Sequence, residues 1–229
     1  MMLERRQLLF GTMASAALSA TAPIARAQNT NLLDLIGDDG KPLVNYRLPS
    51  ELSIEGLPGI IWAGSSTPDV ILVEFFDYNC PYCRKAAGDL DKIVTEDKNF
   101  RLGLVNNAII GLGSVLAAKV QQGVLKLYGP KQAYEFHKAL LAHRGQNDGL
   151  SALEIAKKMK LDAAAVETAA DGDDVRDVLM KQVKLASSLE FAATPSFMMK
   201  GVGILGYPGP QSLHAMIASV RKCDKLMCG

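Results

Sequence analysis

Residues 71–83 read ILVEFFDYNCPYC, an apolar and β-branched run that stops at two cysteines separated by Pro81 and Tyr82. On their own, the two thiols fit an inert disulfide, two ligands of a metal, or a reactive centre. The flanking residues settle the local structure first. The length and composition of Val70–Phe76 predict a buried strand, and Phe100–Val105 predicts a second one. Between them a helix is expected from Pro81 to about Glu96, because proline at a first helical position forfeits only an N–H that would lack a partner anyway. Cys80 then stands at a helix N-terminus, where unpaired N–H groups and the helix dipole favour a thiolate and lower a thiol pKa to about 3.5–7.5. Cys83, one turn on, faces inward.

Compartment decides whether disulfides are permitted. The chain opens with Arg5 and Arg6, an apolar run from Leu8 to about Ala22, and the small-x-small sequence Ala25-Arg26-Ala27. This is the layout of a secretory signal cleaved after Ala27, with a twin-arginine look, although Glu4 stands where that pattern has Ser or Thr. The run is too short and too diluted to span a bilayer. The expectation is a soluble, periplasmic product, in which disulfides are allowed. A domain of this size buries roughly 70% of its unfolded surface, so four cysteines are not its main support. With 25 basic and 24 acidic residues, the formal charge of +1 leaves no electrostatic footprint for nucleic acid or an anionic membrane.

The remaining organisation follows from punctuation and periodicity. Residues 28–60 carry Gly, Pro, Asp and Asn, and are read as an N-terminal extension of short strands or hairpins. Residues 61–112 hold the strand–helix–strand unit. From 113 to 190 the periodicity is helical, with candidate starts at Ser114, Pro130, Ser151, Asp162 and Asp173. Residues 191–222 return to a hairpin turning near Gly201 and a last helix from about Gln211 to Lys222, and 223–229 form a tail with a cysteine pair.

This order, with FFDYNCPYC at 75–83, ATPSF at 193–197 and about 110 helix-filled residues between them, resembles the DsbA-type thiol–disulfide oxidoreductases of the thioredoxin superfamily. The resemblance spans roughly residues 60–222. It implies an α/β thioredoxin fold with an inserted all-helical subdomain, and an exported enzyme that exchanges disulfides with cysteines of other exported proteins. It also implies Cys80 as nucleophile, Cys83 as resolving thiol, and Pro195 as the cis-proline beside them. Thr194, Pro81 and Tyr82 would shape the substrate groove. Glu74, six residues before Cys80 in an apolar strand, would relay protons, since a carboxylate buried there has a raised pKa. A membrane redox partner would reset the pair; no dissociable cofactor is implied. The oxidase direction is expected, with isomerase or reductase as the alternative. The extension is too short for a dimerisation domain, so a monomer is expected. Asn106, Asn107 and Ala108 stand where the family has an acidic residue and a proline.

Two other classes compete. Cys80, Cys83, Cys223 and Cys228 suit a tetrahedral zinc site in residue type; a binding protein that keeps the fold without the exchange is the other. Elsewhere the signals are weak: His137, His143 and His214 are scattered, GLGSVL at 111–116 lacks the third glycine of a dinucleotide fingerprint, and DGDD at 171–174 reads as a helix cap. Asp77 and Tyr78 are read as loop residues at the surface. In CDKLMC at 223–228, a disulfide Cys223–Cys228 is expected. Residues five apart in a continuous helix lie about 8–9 Å apart, beyond the ~7 Å reach of a bridge, so the last helix must end near Cys223. A loop so short contributes only about 2 kcal/mol and pins the terminus.

Overall fold

The structure, a computed structural model, describes residues 32–228 apart from 51, 53 and 55. The expected signal segment 1–27 lies outside them. Six strands form one sheet: β1 (Val44–Arg47), β2 (Ile61–Gly64), β3 (Val70–Phe76), β4 (Phe100–Asn106), β5 (Ser196–Met199) and β6 (Val202–Leu205), in the order β1-β6-β5-β3-β4-β2. Only β3 and β4 are parallel, and a parallel pair needs a crossover; α1 (Pro81–Glu96) supplies it. The hairpin β5–β6 adds antiparallel to β3, while β1 and β2 cover the two flanks from the N-terminal side. Helix α6 (Pro210–Cys223) closes the domain.

Side chains alternate across β3, and the alternation divides the core. Val70, Leu72 and Phe76 join the cluster that holds Leu90 and Ile93 of α1 and Leu213 and Ile217 of α6. Val73 and Phe75 pack on the opposite face with Leu48, Leu189 and Phe191. Position 74 therefore belongs to the α1 face. Its cross-strand partners are Leu104 and Phe197, so the pattern that makes β3 a central strand also surrounds Glu74 with hydrocarbon.

The inserted helices are α2 (Leu112–Ala142), α3 (Gly149–Lys158), α4 (Ala163–Ala170) and α5 (Asp173–Ser188). The starts read at Ser114 and Pro130 open the two helical halves of α2, which Gly129 separates by leaving helical geometry at φ 78° and ψ 178°. Helix α3 begins before Ser151, because Asp148 caps it and Ser151 completes a reciprocal capping box from inside. Asp162 caps α4, and Asp173 and Asp174 place acids in the first turn of α5. Helix α6 is capped from a distance: Asp38 accepts from the N–H groups of Gln211 and Ser212 at 2.9 and 2.8 Å, which ties the N-terminal segment to the last helix. Among the described residues, no helix is long and apolar enough to cross a membrane.

Helices α2 and α4 touch closely at Gly123, where a Cβ would meet the Val166 carbonyl oxygen at 2.7 Å and the Ala170 nitrogen at 3.1 Å. Gly123→Val is expected to lower unfolding stability by about 2 kcal/mol through overpacking against backbone. Urea titration checks it; an unchanged midpoint would mean that α4 gives way freely.

Candidate active site

The turn between β3 and α1 is built from buried polar contacts. The Asp77 carboxylate accepts from Asn79 N (2.7 Å), Ser114 Oγ (2.6 Å), Ile109 N (2.9 Å) and Ile110 N (3.0 Å). Asn79 and Asn147 bond reciprocally: Asn147 N donates to Asn79 Oδ1 at 2.7 Å and Asn79 Nδ2 to the Asn147 carbonyl at 2.8 Å. Asn147 Nδ2 also donates to the Tyr78 and Leu140 carbonyls, and Arg84 reaches back from α1 to the carbonyls of His143 and Gly145. The helical subdomain thus grips both sides of Cys80. This corrects the surface reading of Asp77 and Tyr78: they are 1% and 0% exposed. Tyr78 OH lies 3.3 Å from Nδ1 of His137, which burial keeps neutral by lowering its pKa to about 3. The bracketing residues Ser114 and Asn147 escaped sequence reading, since a serine near a helix start and an asparagine in a turn-like loop are common surface features.

Cys80 caps α1. Its Sγ accepts from Cys83 N at 3.4 Å, and in the neutral thiol form it donates to the Thr194 carbonyl at 3.0 Å. Both cysteines are unbonded and buried, Cys80 at 3% and Cys83 at 0% exposure. The Thr194–Pro195 peptide is cis, with Pro195 buried and Thr194 half-buried against the sulfur. Pro81 and Tyr82 are exposed, Tyr82 by 63%. Glu74 is fully buried, and neither of its carboxyl oxygens has a hydrogen-bond partner. The helix start and the strand acid, six residues apart, therefore meet a cis-proline loop that lies 114 residues further along the chain.

The electrostatics separate the two thiols. The hydrogen bond with Cys83, then that with the Thr194 side chain and the backbone N–H groups of α1's first turn, bring Cys80 from 9.0 to about 6, outweighing the opposing cost of burial. Burial, and then the hydrogen bond that favours Cys80 as the charged partner, push Cys83 far above an ordinary thiol. Burial raises Glu74 from 4.5 to about 8, with the negative Cys80 sulfur adding to it. One sulfur carries charge near neutrality, the other keeps its proton, and a carboxyl beneath them titrates in the same range.

Cys223, the last residue of α6, and Cys228 are joined to each other with Cα atoms 6.0 Å apart, the chain folding back after Asp224 turns left-handed at φ 58°. Their sulfurs are therefore not available to complete a four-cysteine site with Cys80 and Cys83. Among the described residues, no group of three or more His, Cys, Asp or Glu side chains is arranged to hold a metal ion.

Known proteins give the site its context. The sequence profile of the thioredoxin family matches residues 57–219. The chain belongs to the thioredoxin family. A thioredoxin-like oxidoreductase from Silicibacter pomeroyi DSS-3 is 31% identical, over 75% of this chain and 99% of that one, with a TM-score of 0.68. The thiol–disulfide exchange protein alpha-DsbA2 from Wolbachia pipientis (23% identity, 69% and 86% covered, TM-score 0.65) shares the fold. So does oxidised BdbD from Bacillus subtilis (23% identity, 77% and 98% covered, TM-score 0.66). No curated protein matches. By this membership the chain is a protein disulfide oxidoreductase with a thioredoxin fold and an inserted helical subdomain.

Glu74 has a consequence for stability. Its folded pKa stands above its unfolded one, so between about pH 4.5 and 8 the folded state holds a proton that the unfolded state has released. That contribution is complete below pH 4.5 and lost as pH rises through 8. The stability of the reduced wild type relative to Glu74→Gln is expected to fall across this window. Urea unfolding of both at pH 4.5, 6 and 8 measures it; parallel profiles would show that Glu74 titrates normally.

Proposed function

We propose that the chain oxidises pairs of cysteines in other exported proteins, working outside the cytoplasm as a monomer. The observation that carries this reading is the opposed tuning of the two thiols, Cys80 held down to about 6 and Cys83 pushed up by burial. A stabilised Cys80 thiolate favours the reduced enzyme, and that makes its disulfide a better oxidant. In the forward reaction a substrate thiolate attacks Cys80 Sγ of the Cys80–Cys83 disulfide. The Cys80–Cys83 bond breaks, and Cys83 leaves with the electron pair and takes a proton, for which the buried carboxyl of Glu74 is the donor. A second substrate thiolate then attacks the mixed disulfide. The substrate disulfide forms and Cys80 departs as the stabilised thiolate. Substrate loses two electrons, the enzyme gains two, and a membrane redox partner accepts them to restore the disulfide.

Thr194 and Pro195 flank Cys80, and Thr194 offers backbone to an extended substrate; Pro81 and Tyr82 form the exposed rim. The Cys223–Cys228 pair acts as a structural pin for the C-terminus. Export rests on the N-terminal sequence pattern, and the mature protein is expected to start at Gln28.

Trapping tests the roles. Offered a disulfide-bonded substrate, reduced Cys83→Ser is expected to accumulate a mixed disulfide through Cys80, whereas Cys80→Ser is inactive and traps nothing, and Cys223→Ser keeps most activity. Alkylation of the reduced protein at pH 6 should label Cys80 alone, because about half of it is thiolate there. Exchange activity retained by both active-site variants would sink the assignment.

Direction is tested separately, by equilibrating the pair with glutathione. An oxidase is expected to lie nearer about −120 mV than −270 mV. A value near −270 mV would make the chain a reductase.

A further inference from the structure

Large apolar side chains are exposed around the N-terminal end of α2: Ile110 by 52%, Leu112 by 73%, Leu150 on α3 by 75% and Met180 on α5 by 64%. Beside them, α2 and α5 border an open groove of about 700 Å³ whose walls include Val115, Leu179, Met180 and Val183. On α5, Met180 and Val183 stand one turn apart beside the buried Leu179, which makes one apolar turn of the wall between Arg176 and Ser187. A soluble surface seldom leaves so large a patch without a partner.

The rim is positively charged. Lys181 and Lys184 line the groove, and among the described residues neither has a carboxylate partner. The other cations there are neutralised locally, Lys119 by Asp171 and Arg176 by Asp173 and Asp177. An occupant must therefore bring both an apolar stripe and negative charge.

We propose that this groove docks an amphipathic helix of a partner protein, with carboxylates beside its apolar stripe. An apolar channel bordered by helices suits a helix laid in the groove, held by residues at i, i+3, i+4 and i+7. A second copy docked groove to groove about a two-fold axis would set Lys181 and Lys184 against their own equivalents, a like-charge contact. A lipid surface is planar and would leave the concave floor unfilled. The groove also borders the site: Ala108 lines it, and the next two residues, Ile109 and Ile110, bond through their N–H groups to the Asp77 carboxylate that holds the Cys80 turn. A helix seated there is held on the frame that carries the thiols. The proposal concerns binding alone and stands apart from the direction of exchange.

Two fluorescein-labelled peptides of about 18 residues test it, both with leucine on one helical stripe, one flanked by glutamate and the other by lysine. Fluorescence anisotropy with the full chain is expected to show the glutamate peptide binding at least about tenfold tighter, with the preference erased or inverted by the double variant Lys181→Glu/Lys184→Glu. Met180→Asp should weaken the glutamate peptide about tenfold, while circular dichroism and the reaction of Cys80 with a small aromatic disulfide stay at wild-type levels. That last readout separates a failed groove from a failed exchange site. Binding of neither peptide, a preference that survives the charge reversal, or self-association in sedimentation that Met180→Asp abolishes would each overturn the proposal.

Discussion

The sulfur of Cys80 at the first turn of α1 is the contact on which the rest of the site depends. A thiolate there accepts first from the Cys83 thiol and then from N–H groups that an α-helix cannot use internally, so the charge is stabilised by donors already fixed in place. That advantage exists only while the turn before α1 holds Cys80 at the cap. Asp77 and Asn79 supply that restraint with partners from the insertion, Ser114 on α2 and Asn147 in the loop before α3. The subdomain is therefore part of the active-site framework as well as a cover for it. The buried carboxylate contacts are strong where they are fully satisfied, and Asp77, with four donors, meets that condition.

Glu74 is the counterpart. A carboxyl without a hydrogen bond in the middle of a sheet weakens the fold as soon as it ionises, and its neighbours Leu104 and Phe197 offer no relief. Such a group is tolerated when it stays protonated, and burial together with the Cys80 charge keeps it so below about pH 8. The two charges are coupled: a thiolate on Cys80 disfavours ionisation of Glu74, so the acid tends to hold its proton while the nucleophile is charged. This suits a group that delivers a proton to Cys83 and recovers it later.

Much of this was legible in the sequence because its signals are local. Val70–Phe76 is apolar enough to read as a buried strand, and Pro81 marks the helix start, so the sequence by itself puts Glu74 on that strand and Cys80 and Cys83 at that helix terminus. Pro195 and Thr194 were identifiable through the family resemblance. What escaped is non-local. Asp77 and Tyr78 occupy the turn after β3, and only Ser114, Ile109, Ile110 and His137, distant in sequence, make them interior residues. The cap of α6 was invisible for the same reason, since Asp38 comes from the other end of the described chain. At Asp148–Ser151 both residues are good caps, and periodicity alone could not say which stood outside the helix.

The two cysteine pairs obey one electrostatic rule with opposite signs. Cys80 sits where a helix presents N–H groups; Cys223 sits at the end of α6, where the exposed groups are carbonyls, and its sulfur lies 3.2 Å from the Ser219 oxygen. A thiolate at that end faces the negative pole of the helix, so its reduced form gains nothing comparable to the stabilisation of Cys80. A disulfide whose reduced form is not stabilised is a poor oxidant and persists. The two pairs thus stand at opposite poles of their helices, and the direction of the peptide dipoles distinguishes them beside the Cys83 hydrogen bond that does most to hold Cys80 down.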